Sequence, residues 1–194
     1  LYSKNDFSTF NLIFCRKDYF FNKKYKIVLD IGSNIGLSAI YWLTRNNKTI
    51  VYCYEPSSKN FEKLKKNLQE FEGRFFIYKN AVSSKNFSSY LNLEESGVYN
   101  SLNNVKGFNF YEKEKCDVLS INLCIDKILK KHGNIDIIKI DSEGEELKTV
   151  ASIDKKFWNL INCLNVDGES VREFVPKSFQ YSKLGSAQRF YKDG

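Results

Sequence analysis

The chain has 194 residues, 42% of them hydrophobic and 15% aromatic, and a formal net charge of +7. That length suits about one domain with a substantial core, and the composition excludes the low-hydrophobicity signature of disorder. The positive charge is dispersed over many lysines rather than gathered into a stripe or tail, which disfavours nucleic acid as a partner.

Strands and helices alternate along the chain. "KIVLDI" (26–31) reads as a buried strand, followed by a helix over "IGLSAIYWLTR" (35–45). "TIVYCYE" (49–55) is a second strand, and Ser57 or Ser58 can cap the helix "KNFEKLKKNLQEF". On that helix Lys59, Lys63, Lys65 and Lys66 oppose a stripe of Phe61, Leu64, Leu68 and Phe71. "RFFIYKN" (74–80) is a third strand, and an irregular stretch, 83–115, follows, with "SSYLNL" as an edge strand. "CDVLSINL" (116–123) alternates like a half-buried strand, and "IDKILKKHG" (125–133) is a short helix with Gly133 at its C-cap. "NIDIIKID" (134–141) is another buried strand, followed by the helix "EELKTVASI" and the strand "INCLNVD" (161–167). The tail "FQYSKLGSAQRFYK" has the pattern of a hairpin with a Gly-Ser turn.

This order predicts an α/β fold: a mostly parallel, twisted sheet with helices on both faces and a C-terminal antiparallel hairpin. Residues 1–26 are expected to pack as a leader on a single domain over 27–194. Leu1 is not an initiator and the chain lacks methionine, so a fragment, or a numbering that skips residues, is expected. The five cysteines are scattered and without CxxC spacing, as for reduced thiols in a cytoplasmic protein, and no run has the length of a membrane span.

In parallel sheets of this kind ligands bind outside the carboxyl ends of the strands, near the switch in strand order. That rule selects residues 30–36, 55–57, 80–83 and 141–144. The first strand ends in Asp30, and Gly32, Ser33, Asn34 and Gly36 make the turn into the helix. A dinucleotide fingerprint would be GxGxxG; here the spacing is GxNxG behind an acid. A carboxylate there repels a diphosphate and suits a ligand with cationic and amino groups, such as S-adenosylmethionine (AdoMet). Glu55 ends the second strand ahead of Pro56, where an acid can accept both hydroxyls of a ribose. Asn80 and Ala81 end the third and can flank an adenine.

The other informative stretch is "IDIIKIDSEGEE". A solvated helix start, stabilised by the dipole, accounts for Glu145 and Glu146. It accounts poorly for Asp141, which closes an apolar strand and is expected to point into the cleft.

Taken together, "VLDIGSNIGLSAI", "YCYEPSSKNFEKLKKNL", "NAVSS" and "IDIIKIDSEGEELKTV" resemble the FkbM-like methyltransferases, a branch of the class I AdoMet-dependent enzymes with a Rossmann-like fold. The resemblance runs from about Phe14 to about Val166. It implies that Asp30, Gly32, Asn34 and Gly36 line the methionine end of AdoMet and that Glu55 holds the ribose. It also implies that Asp141, with Glu143 beside it, faces the transferred methyl group and the acceptor, commonly a hydroxyl on a sugar, glycan or small secondary metabolite. The family's next strand usually ends in a glutamate; in "LNVDGES" the candidate is Glu169, slightly displaced. The short chain after it is expected to lack part of an acceptor lid.

An alcohol acceptor needs a base. His132, in "KKHGN" before a strand, reads as a surface residue, leaving Asp141, Glu143 or Glu169. The same carboxylates are the ligand types for Mg²⁺, but no spacing fixes them and no metal is assigned. A homo-oligomer stays open. The rival readings are a nucleic-acid methyltransferase, which lacks an Asn-Pro-Pro-aromatic tetrad here, a nicotinamide oxidoreductase, opposed by the GxNxG turn, and a non-catalytic binding module on the same fold.

Overall fold

The computed structural model describes residues 1–104 and 107–192. Seven strands form the main sheet: β1 (Ile27–Ile31), β2 (Ile50–Tyr54), β3 (Phe75–Tyr78), β7 (Ile135–Ile140), β8 (Ile161–Asp167), β9 (Gln180–Leu184) and β10 (Ala187–Tyr191). Their order is β3-β2-β1-β7-β8-β10-β9. All neighbours are parallel except β10, which runs antiparallel to both β8 and β9. The fold is thus the Rossmann-like α/β class read from the sequence, with its C-terminal hairpin turning at Gly185 and Ser186. The strand order reverses between β1 and β7, which fixes where a ligand cleft opens.

β1 and β7 are buried along their whole length, as befits parallel strands covered on both faces. One face packs on α4 (Ile121–His132) and α5 (Glu146–Ala151), where Ile121, Cys124, Ile125 and Ile128 recur at helical spacing. The other face packs on α2 (Leu37–Arg45) and α3 (Ser58–Leu68), with Trp42, Leu43, Leu64 and Leu68 in its core. The Ser57 hydroxyl caps α3 by accepting from the Asn60 amide, as expected. Ile13, Tyr19 and Tyr25 of the leader join this second core, and α1 (Lys4–Phe10) with the π-helical turn after it lies over the edge of the site.

Two expectations change. "INL" at 121–123 is the first turn of α4 rather than the end of a strand, because Ser120 is extended and the helix starts behind it. The irregular stretch over 83–115, of which 105–106 lie outside the described residues, carries most of a second sheet. It has the order β4-β6-β5, with β4 (Ala81–Ser83), β5 (Phe87–Glu94) and β6 (Phe110–Ser120). Its inner face is small, centred on Leu91, Cys116 and Val118. All five cysteines are free, four of them buried. Among the described residues no helix is long and apolar enough to cross a membrane.

Gly36, in the left-handed region at φ 91°, begins α2, and a Cβ there would lie 2.8 Å from the Leu64 side chain. Leu64 is therefore the contact that seats α3 on the start of α2. Leu64→Ala should cost about 2–5 kcal/mol in urea unfolding, since Leu64 is fully buried and its loss leaves a cavity.

Candidate active site

The carboxyl ends of β1, β2 and β7 and the start of β4 open on a cleft. Gly32 (φ 72°) lets the β1 turn lie directly against the exit of β7: a Cβ at this position would sit 1.7 Å from the carbonyl oxygen of Asp141. Gly32, Ser33 and Asn34 line the cleft, with Glu55 and Pro56 just after β2. Asn80 and Ala81 line it too, but they do not end the third strand as expected: β3 stops at Tyr78, and Ala81 opens β4. Asp141 and Glu143 line it from the β7 side.

Glu55 is only 5% exposed. One carboxylate oxygen accepts from the Asn34 amide at 2.8 Å and the other from the Ser57 amide at 3.0 Å. Burial pushes its carboxyl up to about 7, although both amides favour the ionised form. Each oxygen keeps a lone pair for a ligand hydroxyl. Beside it stands Asn60, a cleft residue the sequence reading passed over as part of a helix. It is buried, its Nδ2 donates to the Gly97 carbonyl at 2.7 Å, and its Oδ1 has no partner.

Asp30 and Gly36, expected at the cofactor, do not line the cleft. Gly36 lies behind it against Leu64. Asp30 is fully buried one layer down, accepting from the Ser38 hydroxyl at 2.7 Å and lying 3.4 Å from the Lys139 ammonium. Lys139, 2% exposed, is the residue whose importance the sequence reading missed. Its Nζ donates to the carbonyls of Gly32 (2.7 Å) and Ile31 (3.2 Å) and lies 3.5 Å from Asp141. Burial depresses this ammonium, but Asp141 and Asp30 outweigh the effect and hold it above its usual value. A lysine inside the apolar run "IIKID" was the available signal, since such a charge is buried only when paired. Tyr19 was missed too: its hydroxyl donates to Asp141 at 3.1 Å from 122 positions away in sequence.

A second cleft opens on the far side of Asp141 and Glu143. Its acidic lining is Asp141, Glu143, Glu146, Asp167 and Glu169, with Leu12, Tyr99, Leu147, Gly168 and Ser186. Asp141 and Glu143 belong to both walls. Glu143 adopts φ 53°, a left-handed conformation unusual for its type. The Ser101 hydroxyl donates to its carbonyl, and Glu146 receives the amides of Ser142 (2.6 Å) and Gly144 (2.9 Å) on either side. Burial, then the charges of Asp141, Glu146 and Asp167, push the Glu143 carboxyl up to about 8.

Glu145 and Glu146 are not the solvated helix start expected of them; both are buried. Glu146 holds the 142–144 loop. Glu145 accepts from Ser83, Asn103 and Lys148, bonds that outweigh its burial and leave it below the usual range. Glu169 is exposed beyond the end of β8, at the rim of the second cleft. The acid that ends β8 is Asp167, which burial and the Asp141 charge push up. Among the described residues no group of three or more acids, histidines or cysteines is placed to hold a metal. His132 lies at the amino end of β7, away from both clefts, within 2.8 Å of the Tyr52 hydroxyl.

Comparison with solved structures places this architecture among methyltransferases. A methyltransferase FkbM from Methylobacillus flagellatus KT superposes with a TM-score of 0.64 at 15% identity, over 94% of this chain and 48% of that one. A methyltransferase from Geobacter sulfurreducens does so at 0.50 and 12%, over 95% and 78%. At these identities the likeness is one of fold, and the chain spans about half the length of the Methylobacillus protein. No curated protein sequence matches it significantly. The sequence profile of the methyltransferase FkbM domain matches residues 30–176, most of the chain, and the protein belongs to that family.

Two stability measurements test this electrostatic arrangement. Lys139→Met leaves Asp30 and Asp141 facing each other uncompensated, and should cost about 3–5 kcal/mol in denaturant unfolding at neutral pH. Glu143 is raised in the folded state, so its favourable contribution is full below about 4.5 and is lost as pH rises through about 8. Glu143→Gln should therefore match wild type in stability near pH 4, and exceed it near pH 9 by up to about 5 kcal/mol, at about 1.4 kcal/mol for each pH unit between 4.5 and about 8.

Proposed function

We propose that the chain is an AdoMet-dependent O-methyltransferase whose acceptor is a hydroxyl on a neutral glycan or small metabolite. The observation that carries this reading is the pinned Glu55 carboxylate just after β2, one strand from the switch in strand order, lining the same cleft as Asp141. The donor set fits AdoMet. Glu55 offers acceptors to the two ribose hydroxyls, and Asn80 and Ala81 border the space for the base. The unpartnered Asn60 oxygen offers a further acceptor, and Asp141 supplies negative charge for the cationic end. When bound, AdoMet supplies a methyl group already activated on a sulfonium.

The protein's own work is then to align the acceptor, exclude water and take up a proton. Of the three carboxylates considered as base, Glu143 suits the role best. Asp141 is engaged by Tyr19 and Lys139, and Glu169 lies exposed at the rim. The Glu143 carboxyl, raised to about 8 and shared by both clefts, can accept the hydroxyl proton as the new O–C bond forms. The acids of the second cleft also bear on the acceptor. Asp141 and Glu169, joined by Glu143 and Asp167 as these ionise, oppose the entry of a polyanion, so the overall +7 charge does not favour nucleic acid at this site.

Titration calorimetry with AdoMet and S-adenosylhomocysteine tests the cofactor half of the reading. Saturable binding is expected in wild type, weakened at least about 10- to 100-fold in Glu55→Ala, at about 1.5–3 kcal/mol for each hydrogen bond to a charged group. Labelled methyl uptake then tests the acceptor half. Neutral hydroxylated compounds should be methylated, with a rate rising with pH until Glu143 is ionised. Methylation of RNA or DNA instead would overturn it.

A further inference from the structure

We propose that Tyr19 is a positioning residue that turns Asp141 toward the sulfonium end of the cofactor, and that the strap carrying it, residues 16–20, is clamped by the C-terminal strands to hold it there. This rests on the AdoMet reading above. The strap is stapled from two sides. Arg189 of β10 donates to the carbonyls of Asp18, at 2.6 Å, and Lys17. Asn165 of β8, fully buried, exchanges hydrogen bonds with the Phe20 backbone at 3.0 and 3.3 Å. These bonds fix the backbone on both sides of Tyr19, and its ring is buried near Trp42.

The hydroxyl so delivered meets a contested carboxylate. The same Asp141 oxygen lies 3.1 Å from the Tyr19 hydroxyl and 3.5 Å from the Lys139 ammonium. Lys139 already has Asp30 as a partner, so Asp30, Lys139 and Asp141 together sum to one negative charge. Where that charge sits depends on Asp141. Tyr19 and Lys139 reach that one oxygen together in the lining of the cleft; without the Tyr19 bond Lys139 is the partner that remains, and the carboxylate is left to pair with the ammonium instead of the ligand. Hydrogen bonds to an ionised partner are strong enough to set such an orientation.

The test needs no acceptor. AdoMet and S-adenosylhomocysteine share every group except the methyl and the sulfonium charge, so the ratio of their affinities reads the charge at the cleft wall. Calorimetry on Tyr19→Phe should show AdoMet binding weakened about 10-fold and S-adenosylhomocysteine binding less than about 3-fold, as for loss of one hydrogen bond to a charged group. Arg189→Ala, which loosens the strap without touching the cleft, should skew the ratio in the same direction, and it serves alone if Tyr19→Phe does not fold. Equal losses for both ligands, or no loss for either, would overturn the proposal while leaving the cofactor site standing. Failure of wild type to bind either ligand would overturn the cofactor reading itself, and this inference with it.

Discussion

The buried ammonium of Lys139 sits where β1 and β7 part, and the carboxyl edge of the sheet is organised around it. Taking a charge out of water costs several kcal/mol unless its partners are well placed. Here two carboxylates and two carbonyls surround it, drawn from the ends of two adjacent strands. The arrangement forces the β1 turn and the β7 exit together, which is why position 32 admits no Cβ. It also makes the acid that closes β1 a structural counter-ion. Asp30 lies behind the cleft, and the carboxylate left to line it is Asp141.

From that anchor follows a separation of charge. The chain as a whole is basic, with lysines over its surface, yet the two clefts flanking Asp141 and Glu143 are acidic. Acids packed this closely resist ionisation, and burial adds to the effect. Glu143 carries both burdens and, in addition, an unfavourable backbone conformation. Strain of that kind persists only where the surroundings over-determine it. The Ser101 bond to its carbonyl and the Glu146 bonds to the amides of Ser142 and Gly144 supply that constraint.

The parallel strands were legible because strands buried on both faces read as continuous apolar runs. The glycine turn and Glu55 could be picked out as cleft-lining because clefts in parallel sheets open at the strand ends near the switch in strand order. What stayed hidden had local patterns with two physical meanings. A run of acids at a helix start looks the same whether it is solvated or, like Glu146, folded back on loop amides. Alternating charges in "YEKEKCDV" hid the length of β6, whose outer face is exposed. Lys139 betrayed itself only as an oddity in an apolar strand, and its partner Asp30 was read as a ligand-facing acid instead. Tyr19 gave no signal at all, since its contact with Asp141 exists only once the chain has folded.

The covers of the site share one feature. The leader reaches the cleft with Asp6, Thr9, Ile13 and Tyr19, and the segment after β5 reaches it with Gly97, Val98, Asn100 and Leu102. Each ends in a hydrogen bond to the same short segment: Tyr19 to the side chain of Asp141, Ser101 to the carbonyl of Glu143. Between those two contacts lies the wall dividing the clefts. A displacement of either cover is therefore felt by the carboxylates that face both sides, so the wall cannot be set by β7 alone. It is fixed by three elements remote in sequence, and the buried Lys139 makes the sheet edge rigid enough for all three to meet.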